Sequence, residues 1–335
     1  MSTTIKDIAN AVNISTAAVS LVLNNKPCRI SEEKKELIRR TAQEMDYQPN
    51  RNAVALVTSR TMIIGTIVYD VSNAYFAEFA KGVEDTAADF EYQILLVNIN
   101  NRKNKAKNYA KILGYNSTDA LIVASNLDDP ELEKYVNSYY NSKKPVANAG
   151  NGKCQFPSGN IIFRNEKGGY LATKHLLELG HRKIGCITGP NNTPVVRLEG
   201  YKAALEEYGV PYDNALVKCG DYHGETASIL ARELYEQGVT AIFTFNDLMA
   251  YGVYRMAKEM KIRIPADLSV VGFDDLEYSS LMSVPLTTIH QPAYAMGVEC
   301  CKMAIRMIQY NTLYADNIYF EPELIVRKST KKYEG

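Results

Sequence analysis

From Ile63 onward the chain alternates short apolar runs with amphipathic helical patterns, and this alternation restricts the fold more than any other feature. Strands are expected at 63–68, 93–98, 120–124, 145–148, 160–163, 184–188, 215–219, 241–245, 269–273, 286–290 and 317–320. Helical periodicity fills most of the intervals, at 74–90, 131–141, 165–179, 195–208, 224–237, 247–260 and 293–310. Apolar runs separated by helices build parallel sheets covered on both faces. The runs outnumber what one sheet comfortably needs, so two such layers are expected. Open α/β sheets bind ligands beyond the carboxyl ends of their strands, which puts binding residues in the loops after each run.

Residues 1–60 differ in character. Ile5, Ile8, Ala9 and Val12 recur at i, i+3, i+4 and i+7, one face of a short helix. Asn13 breaks it, and Ser15 is a suitable N-cap for a second helix. There Ala18, Val19, Val22 and Leu23 form the inward stripe, with Thr16, Ala17, Ser20, Leu21 and Asn24 opposite. Two short helices joined by a tight turn describe a helix-turn-helix whose second member enters a major groove. They describe equally well two helices of any small bundle. Ser31 precedes a third helix, with Glu32 and Glu33 suiting the dipole of its first turn. Leu37, Ile38, Ala42 and Met45 are expected on its buried side. Pro49 stops it, and Asn50 can cap a piece from Arg51 to Val57 that is too short to be stable alone. A flexible linker is the alternative there.

With 335 residues and 46% hydrophobic content, the chain can bury a large core in more than one domain. Net charge is zero, but residues 1–60 hold nine Lys/Arg against six Asp/Glu, leaving +3 there and −3 in the remainder. That excess is too modest to carry a DNA assignment alone. The six cysteines are scattered, without C-x-x-C or histidine at ligand spacing, so no metal is expected. No G-x-G-x-x-G follows Ile63–Val68 and no P-loop occurs, and none of His175, His181, His223 and His290 has an identifiable catalytic partner. Neither a cofactor nor catalysis is expected. No apolar run is long enough for a signal peptide or a membrane span, so a cytoplasmic location with reduced thiols and no membrane partner is expected.

Thr4-Ile5-Lys6-Asp7-Ile8-Ala9, Ser15-Thr16-Ala17-Ala18-Val19-Ser20, Asn24, and Tyr47-Gln48-Pro49-Asn50 with Ala53 and Leu56 resemble the headpiece of the LacI (lactose-repressor) family. The core is similar too, in Asn165-Glu166-Lys167-Gly168-Gly169-Tyr170, His181-Arg182-Lys183-Ile184-Gly185, Arg197-Leu198-Glu199-Gly200-Tyr201, Phe245-Asn246-Asp247, Gly272-Phe273-Asp274-Asp275 and Thr287-Thr288-Ile289-His290-Gln291-Pro292. The resemblance implies an N-terminal all-α helix-turn-helix headpiece plus an α/β periplasmic-binding-protein-like (type I) core of two parallel-sheet subdomains. It places the headpiece at 1–47, a hinge helix or linker at 48–61 and the core at 62–330. Subdomain 1 is then about 62–161 and 292–321, subdomain 2 about 162–291 and 322–330, with crossovers near 160–164, 290–293 and 320–324.

The implied function is a sequence-specific transcriptional regulator, a repressor, that binds double-stranded operator DNA as a homodimer. DNA contacts are implied for Thr4, Lys6, Ser15, Thr16, Ala17, Ser20, Leu21, Asn24, Asn50, Ala53 and Leu56, the last as a minor-groove wedge. Where Leu21 stands, family members commonly carry arginine. Leu21, Ala17 and the Thr16 methyl can instead touch thymine methyls. A carbohydrate-like effector is implied at Tyr75, Phe76, Asn126, Arg197, Tyr222, Asn246, Asp274 and Gln291, and Arg164 joins these candidates through a departure from the family. Asp247 is expected to be a helix N-cap. Arg164 departs from a common family aspartate. If it faces the cleft, two guanidiniums favour an anionic sugar acid or phosphate; otherwise it points to solvent or pairs with Glu166. The rival readings are a periplasmic solute-binding protein, which would need a signal peptide in place of residues 1–60, and a nucleotide-dependent enzyme on an α/β core.

Overall fold

The computed structural model describes residues 3–47, 60–99, 113, 117–125, 130–150, 158–190 and 196–334. The chain divides into two units, Met1–Thr61 and Met62–Gly335.

In the first unit, the described residues form helices α1 (Ile5–Val12), α2 (Thr16–Leu23) and α3 (Glu32–Glu44). Thr4 and Asp7 cap α1 reciprocally: the Thr4 hydroxyl accepts from the Asp7 N–H, and the Asp7 carboxylate accepts from the Thr4 N–H. Asn13 then turns left-handed at φ 51°, and the Ser15 hydroxyl accepts from the Ala18 N–H to start α2. Ile8, Ala9, Val19, Val22, Ile38 and Ala42 bury against one another. Leu37 is exposed, contrary to expectation. The stripe that docks runs through Ile38, Ala42 and Met45, and residue 37 lies about 100° round the helix from it.

In the second unit, β1 (Ile63–Val68), β2 (Gln93–Asn98), β3 (Ala120–Ala124) and β4 (Val146–Asn148) form a parallel sheet in the order β2-β1-β3-β4. Helices α4 (Ala74–Asp89), α5 (Pro130–Asn141) and α11 (Ala293–Gln309) accompany it. A second sheet contains β6 (Ile184–Thr188), β7 (Val217–Cys219), β8 (Ala241–Thr244), β9 (Ser269–Asp274), β10 (Thr287–His290) and β12 (Glu323–Ile325). Its order is β12-β10-β9-β8-β6-β7, parallel except for β12. Around it lie α6 (Asn165–Glu178), α7 (Val196–Glu207), α8 (Gly224–Glu236), α9 (Asp247–Met260) and the short α10 (Glu277–Leu281). β3, β6, β8 and β9 are buried at every residue. A strand covered on both faces has no polar side to alternate with, which is why these runs read as continuously apolar.

A two-stranded parallel ribbon of β5 (Ile161–Phe163) and β11 (Ile318–Phe320) lies between the sheets in chain order. The chain passes from one sheet to the other through β5, again at Gln291–Pro292, and again through β11 into β12. α6 and α7 approach closely because of two glycines. A Cβ on Gly200 would overlap the Glu166 carbonyl, and one on Gly169 the Arg197 carbonyl. That approach sets the first turn of α7 against the first turn of α6. Among the described residues no helix is long and apolar enough to cross a membrane.

Candidate functional site

The outward face of α2 carries Thr16, Ala17 and Leu21, all exposed, and the half-buried Ser20. Val19 and Val22 lie in the core behind them, so the helix cannot rotate without losing its packing. None of the four outward side chains offers a bidentate donor or donor–acceptor pair for a base edge. Leu21 supplies an exposed methyl surface. Two expected contacts are partly committed within the fold. The Thr4 hydroxyl belongs to the α1 cap, and the Asn24 amide donates to the Ser20 carbonyl at 2.8 Å. Lys6 and Ser15 are exposed. Asn50, Ala53 and Leu56 lie outside the described residues.

In the second unit, the carboxyl ends of the strands and the helix starts beside them converge on Arg197. Its Nε donates to Asn165 Oδ1 at 2.7 Å, its Nη1 to the Phe245 carbonyl and its Nη2 to Gln291 Oε1 at 3.2 Å. The guanidinium lies over the Phe273 ring, 3.5 Å from its centroid. Gln291, on the crossover between β10 and α11, also donates from Nε2 to the Tyr75 hydroxyl at 2.8 Å. One amide therefore joins a residue at the start of α4, beside the first sheet, to an arginine beside the second. Phe76 meets Tyr75 edge-on at 5.0 Å between centroids. The Tyr222 ring fills the space that a side chain on Gly189 would need.

Asp274, at the end of β9, is 6% exposed; its carboxylate makes no side-chain hydrogen bond to another described residue, but it is not among the fully buried unpartnered groups, so its oxygens keep some access to the cleft. Burial pushes its pKa well above the ordinary carboxylate value, with Arg197 opposing the rise. Burial first, and then the Asp274 charge, raise the Tyr75 phenol as well, with Arg197 and the Gln291 hydrogen bond opposing the rise. The site thus holds a carboxyl group without a side-chain partner, a guanidinium with spare N–H groups, and aromatic faces. This set suits a ligand that carries several hydroxyls on an apolar ring face.

Comparisons with known proteins bear on the family and the fold. Residues 4–50 match the family described as bacterial regulatory proteins, lacI family, and residues 173–330 match a periplasmic binding protein-like domain. The HTH-type transcriptional regulator DegA of Bacillus subtilis (strain 168) is 34% identical over 333 residues, covering 98% of each chain. The chain belongs to the lacI family. Among solved structures, a lac repressor dimer bound to operator and the anti-inducer ONPF superposes with a TM-score of 0.87 at 26% identity, covering 99% of this chain and 100% of that one. The complex of the regulator CelR with cellobiose gives 0.74 at 26% identity, covering 98% and 99%.

Within this LacI-family core, the structure brings Tyr75, Arg197 and Gln291 into one hydrogen-bonded network, with Phe76 against Tyr75 and Asp274 in range of Arg197. Asn126 lies outside the described residues. Asn246 is committed on both amide atoms: Oδ1 accepts from the Met249 N–H, and Nδ2 donates to the Tyr222 carbonyl.

Two expectations need correction. Asn246, not Asp247, caps α9. Asp247 points inward and accepts from the Thr288 hydroxyl at 2.6 Å, the Ser279 hydroxyl at 2.6 Å and the Leu276 N–H at 2.9 Å. Arg164 does not join Arg197. It stacks on Tyr319, 4.7 Å from the ring centroid, and pairs with Glu321 at 3.5 Å, with 53% of its side chain exposed. The β5–β11 pairing brings Tyr319 and the half-exposed Glu321 beside it, so its charge is met by a solvated carboxylate without a burial cost. Arg164 therefore supplies no second guanidinium beside Arg197 for an anionic effector. Sequence reasoning missed Asn165 and Phe273 as supports of Arg197. Both stand in the recognised runs, but only the packing of α6 on α7 and of β9 beneath them joins the three.

Proposed function

We propose that this LacI-family protein is a cytoplasmic repressor that binds a near-palindromic operator as a homodimer and is controlled by a neutral, hydroxyl-rich sugar. Residues 1–47 serve as the headpiece, 48–61 as the hinge, and 62–330 as the effector-binding and dimerising core, its subdomains divided near 161, 291 and 321. One headpiece offers few contacts, so two related by a two-fold axis are needed for useful specificity, over roughly 14–20 base pairs. α2 reads bases through Thr16, Ala17, Ser20 and Leu21. Thr4, Lys6, Ser15 and Asn24 bear on phosphates, with Asn50, Ala53 and Leu56 in the hinge.

The observation that carries the effector assignment is Asp274. A carboxyl group at the cleft with no side-chain partner, whose charged form burial disfavours, can exchange hydrogen bonds with sugar hydroxyls as acceptor or donor and adds no positive charge to hold an anion. Arg197 and Gln291 add donors, and Tyr75, Phe76 and Tyr222 line the ring faces. A related regulator, CelR, was solved with cellobiose, which supports the same ligand class.

A thermal-shift screen of neutral sugars beside their acids and phosphates tests this. At a ligand concentration of a hundred times Kd, binding stabilises by about 2.7 kcal/mol. A neutral sugar should stabilise the wild type and Arg164→Ala alike and fail with Asp274→Asn. Stabilisation by acids or phosphates alone would defeat the reading.

A further inference from the structure

The last residue of β9 and the one after it both lie on the left-handed side of backbone space, Asp274 at φ 109° and Asp275 at φ 61°. Side-chain-bearing residues occupy this side sparingly, and φ 109° lies beyond the usual left-handed well at about 50–70°. Such a turn persists only where its surroundings over-determine it. Here the Asp274 carbonyl accepts from the Gln291 N–H at 3.3 Å. The Asp275 carboxylate is gripped on both oxygens, by His290 Nδ1 at 3.0 Å and by Arg327 Nη2 at 2.6 Å. Arg327 is itself fixed, donating from Nη1 to the Leu286 carbonyl and from its backbone N–H to the Thr287 hydroxyl. His290 stands in register with Asp274 across β9 and β10, and it immediately precedes Gln291.

We propose that Asp275, His290 and Arg327 form a positioning cluster for the effector site, which clamps the left-handed turn presenting Asp274 and tightens when His290 is protonated. The inference rests on reading the cleft as an effector site and concerns what regulates it.

The charges around His290 are few. Asp275 and, from β12, the in-register Glu323 favour the imidazolium, while Arg327 opposes it. The in-register Asp274 lies on β9, and the Asp275 charge in turn raises Asp247, at the head of α9. The hydrogen bond to Asp275 raises the His290 pKa against a smaller loss from burial. Burial by itself would raise the Asp275 carboxyl, but its bonds to His290 and Arg327 hold it below the ordinary value. Imidazolium donates to a carboxylate through a charge-assisted bond. Neutral imidazole donates more weakly, and only when its proton sits on Nδ1. The clamp is therefore tighter on the acid side of the His290 titration, and its half-exposed ring admits the proton without unfolding.

The test is amide hydrogen exchange of the Phe273–Leu276 segment in the full-length protein, corrected for intrinsic rates, at about pH 6 and about pH 8. In the wild type, protection should fall about fivefold from the lower to the higher pH, from loss of the charge-assisted bond. His290→Gln and Asp275→Asn should lower protection at the turn and flatten its pH profile, without a matching change in α8 or in melting temperature. A His290→Gln protein with the wild-type profile, or a turn indifferent to both substitutions, would overturn the proposal. No sugar enters this measurement, so failure of the effector reading shows separately in the thermal-shift screen.

Discussion

Asp247→Asn isolates the energetics of a buried carboxylate next in sequence to Asn246 of the proposed effector site. Asp247 is fully buried, and burial pushes its pKa from 3.8 up to about 6 despite three hydrogen bonds that favour the ion. A rise of that size is about 3 kcal/mol of penalty on the charged form. The folded chain binds more protons than the unfolded one between the two values, so this group's contribution to stability falls as pH rises from about 4 to about 6 and stays low above that. Asparagine removes the charge and keeps the geometry. Its carbonyl accepts from Leu276 N–H and the Ser279 hydroxyl, and its NH2 meets the Thr288 hydroxyl, which accepts as readily as it donates. Asp247→Asn should match the wild type near pH 4 and exceed it by up to about 3 kcal/mol near pH 7, with about 2–4 °C in Tm for each kcal/mol. Asp247→Ala should instead cost about 2–4 kcal/mol at either pH, because it strands a backbone N–H and two hydroxyls. Paired urea titrations across that range read the gap directly. A wild-type-to-Asn difference that does not vary with pH would refute the argument.

Gly200→Ala should force α7 away from the Glu166 carbonyl, cost about 1–3 kcal/mol and weaken sugar binding by loosening Arg197 from Asn165. A melt and a binding isotherm both equal to wild type would count against that close approach. Leu56→Ala should leave the core's melting unchanged and cost about 1–3 kcal/mol of operator affinity at fixed salt. An unchanged titration would reduce the hinge to a tether. Leu21→Arg should shift the selected operator toward guanine at one symmetric pair of positions, which a binding-site selection reads directly. Identical preferred bases for the two proteins would remove Leu21 from the reading face.

Much of the architecture is local information. Apolar runs bounded by turns, and helices with their own periodicity, carried the strands and helices of the core to within a residue or two, because each is stabilised by its own hydrogen bonds and one buried face. Ser15 was recognisable as a cap for the same reason: its partner, the Ala18 N–H, is three residues away. β12 and α10 escaped notice, being three and five residues long and lacking a period of their own. The side chains beneath the site were legible by residue type but not by partner. Adjacent residues Asn246 and Asp247 look interchangeable as caps. The inward direction of Asp247 follows from Thr288 and Ser279, more than 30 residues further on. Leu37 and Ile38 differ only in which of them faces Ile8 and Val19. Arg164 shows the same limit. Its place in the sequence brings it to the start of α6, but its direction was decided by Tyr319 and Glu321, which the β5–β11 pairing delivers from across the chain. Long-range partners set the charge balance of the cleft, and no window of sequence contains them.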